Sequence, residues 1–265
     1  MKTLYFLRLA VLFGLGLTLS SGGCGDSSSA SPSVMNSASP GGGGDGQAGS
    51  TARFAILGST LYAVDDTSLR TFDLSTPEAP VAGPVVNVGM GVETIFPQAP
   101  YLFIGSQMGM FIYSVAGSTP QRIGAYQHVA SCDPVVVDGR YAYVTLREGT
   151  NCTRGVNQMD VVDLANLSQP RLARSYPLTR PHGLGTDSSL VFVCDGGNAI
   201  KVFDATNTPT LRQVRSFDVA ATDVIARQGV LLVTGSDGLY QYRYRAAANG
   251  GSLQQLSRIP VTPRQ

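Results

Sequence analysis

The feature that most constrains this chain is a pattern that returns about every forty residues. Short apolar strands open at Leu61 (LYAV), Tyr101 (YLFI), Tyr141 (YAYV), Leu190 (LVFV) and Val230 (VLLV), at spacings of 40, 40, 49 and 40 residues. An apolar strand precedes each one: RFAIL, VETIF, DPVVV, HGLGT and TDVIA. Behind each lies a Gly/Asp turn and a third strand: SLRTFDL, GMFIYSV, QMDVVDL, AIKVFDA and GLYQYRY. A fourth strand closes the unit: PVVNV, RIGAYQHV, RLARSYPL, RQVRSFDV and QQLSRIPV. Three of the third strands run into an Asp-led turn with a following proline, FDLSTPEAP, VDLANLSQP and FDATNTP. There the carboxylate closes an Asx-turn and the proline fixes the next φ. Helical periodicity is absent from this region.

Five units of four short antiparallel strands predict an all-β chain, a five-bladed β-propeller of four-stranded blades over 53–265. A β-sandwich gives no reason for equal spacing. Five complete units need no borrowed strand. The pattern also allows a circular shift in which the N-terminal strand completes the last blade. At 265 residues and 43% hydrophobic, the chain can bury one large all-β core. A net charge of +1 argues against nucleic acid and against a basic membrane patch.

Residues 1–23 read as an export signal. Lys2 and Arg8 form a basic start, Leu9 to Leu19 an apolar run too short to span a bilayer comfortably, and small residues lead to Cys24. The stretch resembles a bacterial lipoprotein signal, which implies lipidation of Cys24 and extracytoplasmic anchoring at an outer membrane or cell surface. An ordinary cleaved signal with an incidental cysteine fits the same residues. Residues 24–52 are expected to be a disordered tether, because Gly25 to Ser50 is almost all Gly, Ser, Ala, Asp, Asn, Gln and Pro.

YAYVT followed by MDVVDLANLSQP, and LVFVCDGGNAIKVFDATNTP, resemble the LVIVD repeat of bacterial surface proteins. The resemblance is strongest over 131–205 and covers most of 53–244. It implies a cell-surface propeller and no particular reaction.

Strands reverse direction along a blade, so the second-to-third turns and the crossings between blades share one face. That face receives Cys132 and Asp133, the long loop Arg147 to Asn157, Pro181 and His182, Asp195 to Asn198, Asp223 and Asp237. Cys132 and Cys152 then belong to one blade, and an oxidising compartment makes a disulfide the default. A loop of about 20 residues closed this way gains about 3 kcal/mol in the entropic model. With only His128 and His182, no metal site or cofactor is expected. Cys194 reads as a small core residue, with a thiolate activated by His182 as the reactive alternative.

The leading functional expectation is a monomeric, non-enzymatic, lipid-anchored propeller that binds a surface protein or glycan. The contacts are Asp133, Arg147, Asn157, Gln158, His182 and Asp195. Two alternatives remain: a hydrolase or lyase using Asp133, Glu93, His182, Asp195 and Asp223 at the channel mouth, and a purely structural envelope module.

Overall fold

A computed structural model of the protein describes residues 49–127, 134–149, 156–245 and 251–261. The described chain is entirely β and forms five four-stranded antiparallel sheets. Blade one holds β1 (Phe54–Leu57), β2 (Thr60–Val64), β3 (Ser68–Asp73) and β4 (Val81–Asn87). Blade two holds β5 (Val92–Gln98), β6 (Tyr101–Ser106), β7 (Gly109–Ser114) and β8 (Gln121–Gln127). Blade three follows with β9 (Val135–Asp138), β10 (Tyr141–Leu146), β11 (Gln158–Asp163) and β12 (Arg171–Pro177). Blade four is β13 (Pro181–Asp187), β14 (Leu190–Asp195), β15 (Ala199–Asp204) and β16 (Arg212–Phe217). Blade five is β17 (Asp223–Arg227), β18 (Val230–Gly235), β19 (Gly238–Arg245) and β20 (Ser252–Pro260). The fold is a five-bladed propeller, and each sheet contains four consecutive strands. Among the described residues no strand is borrowed across the ring, and each sheet is complete without the circularly shifted pairing.

The blades repeat in detail. In all five, the third and fourth strands lose register at one point, between Arg70 and Phe72, Ile112 and Tyr113, Val161 and Val162, Val202 and Phe203, and Gln241 and Tyr242. A bulge at this place sharpens the right-handed twist of each outer strand. The Asx-turns form as the sequence predicts. Asp73 accepts the Ser75 N–H at 2.8 Å, Asp163 the Ala165 N–H at 2.8 Å, and Asp204 the Thr206 N–H at 3.0 Å.

The core lies between blades. Ala55, Tyr62 and Leu69 of blade one pack on Ile95, Leu102 and Phe111 of blade two. A continuous cluster then joins blade two to three and three to four through Phe103, Val136, Tyr143, Leu184 and Val193. Phe192 and Cys194 of blade four pack on Val224, Leu231 and Tyr244 of blade five. Inner strands accordingly lie against each other from β1 to β5, β5 to β9, β9 to β13 and β13 to β17. Among the described residues no comparable core joins blade five to blade one.

A short segment ahead of β1 bridges that place at the axis. Ser50 is only 1% exposed. Its hydroxyl donates to Asp223 Oδ1 at 2.9 Å on β17 and accepts the Leu184 N–H at 2.8 Å on β13. Thr51 donates to Asp223 Oδ2 at 2.6 Å, and the Ala52 carbonyl accepts the Ile95 N–H of β5 at 2.9 Å. The ordered domain therefore begins ahead of residue 53, and Gly49 to Ala52 belong to it rather than to the tether. Small polar residues, which read as linker in sequence, are what this narrow polar place accommodates.

Candidate functional site

The face that carries the blade crossings also carries the long loop. Between β10 and β11 the chain spends 147–157, whereas the equivalent turns of the other blades take two or three residues. Residues 150–155 of this loop, with Cys152, lie outside the described residues, as do Asp133, Cys132 and Cys24. The base of the loop is fixed. The Asn157 amide donates to Glu148 Oε1 at 2.8 Å, and its carbonyl oxygen accepts the Glu148 N–H at 3.3 Å. The Asn157 backbone carbonyl also accepts the Leu178 N–H at 2.9 Å, tying the loop to the crossing into blade four.

Arg147, at the start of this loop, reaches His182 on the inner strand of the next blade. Its Nη1 lies 3.0 Å from His182 Nδ1 and 3.4 Å from Nε2. Thr145 orients the same histidine from below by donating to its backbone carbonyl at 2.7 Å. Both side chains are half-buried. Burial, then the nearby Arg147 and Arg180 charges, push the His182 pKa down, with Asp195 pulling weakly the other way. Arg147 is itself depressed, first by burial and then by Arg180, while Glu93 opposes. The pair thus couples a guanidinium to a neutral imidazole, which supplies hydrogen-bond donors and an acceptor within one opening.

Gln158 and Asp195 have other tasks. Gln158 Nε2 donates to Asp160 Oδ1 at 2.6 Å, and that carboxylate is only 2% exposed. Ser175 at 2.6 Å and Tyr126 at 2.9 Å also donate to Asp160, so Gln158 completes a buried polar network. Asp195, 2% exposed, accepts the Arg180 N–H at 2.7 Å and the Thr179 N–H at 3.0 Å, and pairs with Lys201 at 2.6 Å. Burial opposes its ionisation, but Lys201 and the two N–H groups outweigh burial and hold the pKa below the usual carboxylate range. Its position on the predicted face is as expected; its oxygens are occupied in shaping the crossing that carries His182.

Asp223 is equally committed. Its carboxylate sits where a Cβ on Gly183 would lie 2.0 Å from Oδ1 and a Cβ on Gly49 2.6 Å from Oδ2. Desolvation raises its pKa despite donation from Thr51 and Ser50. Glu93 accepts from Gln107 Nε2 at 3.3 Å. Asp237 pairs with Arg258 at 2.6 Å and accepts from the Tyr240 hydroxyl at 2.7 Å. Among the described residues, no three His, Cys, Asp or Glu side chains gather into a metal-holding group. Cys194 is fully buried in β14, and burial, with Asp223 adding its charge, pushes the thiol well above its ordinary value. Such a thiol is a packing group rather than a nucleophile.

The described part of the site is therefore Arg147 and His182, framed by Glu148, Asn157 and Arg180. Arg147 and His182, which the sequence places on one face, meet here. Sequence reasoning missed the Ser50–Asp223–Leu184 closure, for which the Gly/Ser stretch offers no periodicity to read.

No protein-family model matches the chain, and no curated protein matches it significantly. The fold is similar to that of a functionally unknown protein from Desulfotomaculum acetoxidans, with a TM-score of 0.64 and 12% identity over 78% of this chain and 68% of the other. It is similar to a protein from Lactobacillus plantarum, with a TM-score of 0.61 and 14% identity over 77% and 69%. Apo AztD from Citrobacter koseri gives a TM-score of 0.55 and 14% identity; this chain spans 77% of itself and 61% of that protein. At these identities the likeness shows the fold, a β-propeller, and nothing finer.

Proposed function

We propose that this chain is a non-enzymatic binding propeller of the bacterial cell envelope, lipid-anchored through Cys24 and related to the LVIVD-repeat proteins. In this reading it takes a protein or glycan partner through the face that carries the long loop. The observation that carries the reading is the Arg147–His182 contact at 3.0 Å, half-buried at the base of that loop and beside Arg180. Propeller scaffolds hold loops rigidly while the loops supply specificity. A guanidinium beside a neutral imidazole suits a carboxylate or a set of sugar hydroxyls, since each presents acceptors to several N–H donors. Of the carboxylates that an acid–base reading would use, Asp195 and Asp223 are taken up by Lys201, backbone N–H groups, Ser50 and Thr51, Glu93 accepts from Gln107, and Asp133 lies outside the described residues.

The test is binding of the purified protein to an array of carboxylated and neutral glycans, beside pull-down from the native cell surface. Arg147→Gln and His182→Gln are expected to weaken the retained ligand at least about tenfold, the loss of one charge-assisted hydrogen bond. A variant lacking Thr150 to Gly155 should lose it as well. Equal recovery by all three variants would overturn the site. The anchor is tested separately: Cys24→Ala should move the protein from the membrane fraction to the soluble one.

A further inference from the structure

The fifth seam of the ring offers a surface that the first reading does not use. Side chains on the free face of blade one include Phe54, 63% exposed, and Ile56, 42% exposed. Phe54 pairs with Ala63 and Ile56 with Leu61 in the β1–β2 register, so all four share that face. Their neighbours Ala55, Tyr62 and Leu69 point the other way, into the core shared with blade two. On blade five, Val224, Ala226 and Leu231 face blade four. The alternate residues Ile225, Arg227, Val230 and Leu232 face the free side, where with Gln228 and Gln241 they line a groove of about 370 Å³. At every other seam two such apolar faces bury each other. Here Ser50 and Thr51 close the ring at the axis, with Gly49 beside Ile225, and among the described residues no apolar core joins the faces outside them.

Charge selects the occupant. Arg243 pairs with Val230, next to Arg227, and Arg245 follows two residues on along β19, so three exposed arginines edge the groove. None of the three makes an ion pair among the described residues. The acidic residue on this face of blade five, Asp223, is consumed at the axis by Ser50 and Thr51. A second copy offering the same face would set arginine against arginine. We propose that the seam between blades five and one binds an extended segment of another protein, with apolar side chains at alternate positions and acidic residues between them. An extended strand presents side chains to both sides with a period of two. It therefore lays its apolar row along the groove of Ile225, Val230 and Leu232 on blade five, and its carboxylates meet Arg227, Arg243 and Arg245 at the groove edge.

The probe is a displayed library of extended nonapeptides with valine at alternate positions and the intervening positions randomised, panned on the full chain. Enrichment of Asp and Glu at the randomised positions is expected, with affinity weakened at least tenfold by Leu232→Glu, which puts a charge in the groove. Arg243→Glu, at an exposed position, should switch the enrichment toward Lys and Arg. No enrichment, or enrichment indifferent to both variants, overturns the proposal. Self-association of the wild type that Leu232→Glu abolishes also overturns it, by identifying the occupant as a second copy. Both readouts are independent of Arg147 and His182, so failure here leaves the loop-face reading standing, and the reverse.

Discussion

At the scale of single residues, the buried polar groups decide most. Asp195→Ala leaves Lys201 and two N–H groups without their acceptor, the circumstance in which breaking a buried pair costs about 3–4 kcal/mol. Urea denaturation should show that loss, and His182 should become less ordered because its crossing is freed. Ser50→Ala removes a donor from Asp223 and an acceptor from the Leu184 N–H, with an expected cost of about 1–2 kcal/mol. His182 gives the pH dependence. Its folded pKa lies below the ordinary imidazole value of about 6.5. Between that value and the lower folded one, the unfolded chain holds the extra proton, so stability falls as pH drops below about 6.5. His182→Gln should flatten that part of the stability curve, read as the denaturation midpoint against pH. A further acid limb belongs to Asp163, which Arg140 holds at about 2. Its contribution is present above the unfolded carboxylate range and is lost as pH falls toward 2.

At the scale of strands and turns, the repeat was the legible part. All twenty strands fall where the forty-residue pattern sets them, because inward-facing apolar residues must alternate and the Asp-led turns must recur. Spacing alone carried Arg147, His182 and Asp195 to one face. The roles of Gln158 and Asp195 were not legible, because a polar residue at a strand end reads the same whether it faces a ligand or a buried partner. Only the surroundings separate them: Asp160 and Ser175 for one, Lys201 for the other. Close approach between blades is another property that spacing does not carry. A Cβ at Gly124 on β8 would lie 1.8 Å from the Leu167 carbonyl oxygen of blade three, and backbone has little room to move away. Gly124→Ala is expected to cost about 2–3 kcal/mol by overpacking, measured as a lowered denaturant midpoint with an unchanged slope.

At the scale of the whole molecule, the described residues hold four seams by apolar cores and one by a polar contact at the axis. Shortening the chain to begin at Phe54 removes Ser50 and Thr51 while leaving every sheet intact. Hydrogen exchange should then rise first in β1 and β17 and at the Ile95 and Leu184 amides, which lose the Ala52 carbonyl and the Ser50 hydroxyl, with β6, β10 and β14 protected as before. Uniform loss of protection instead would mean that the ring unfolds as one unit and the axial segment has no special part in closing it.

The wholeness of each sheet has a further consequence. Here every blade is made from one uninterrupted stretch of gene, and all hydrogen-bonded strand pairing ends at its boundaries. Duplication or loss of a forty-residue unit would therefore leave no strand orphaned.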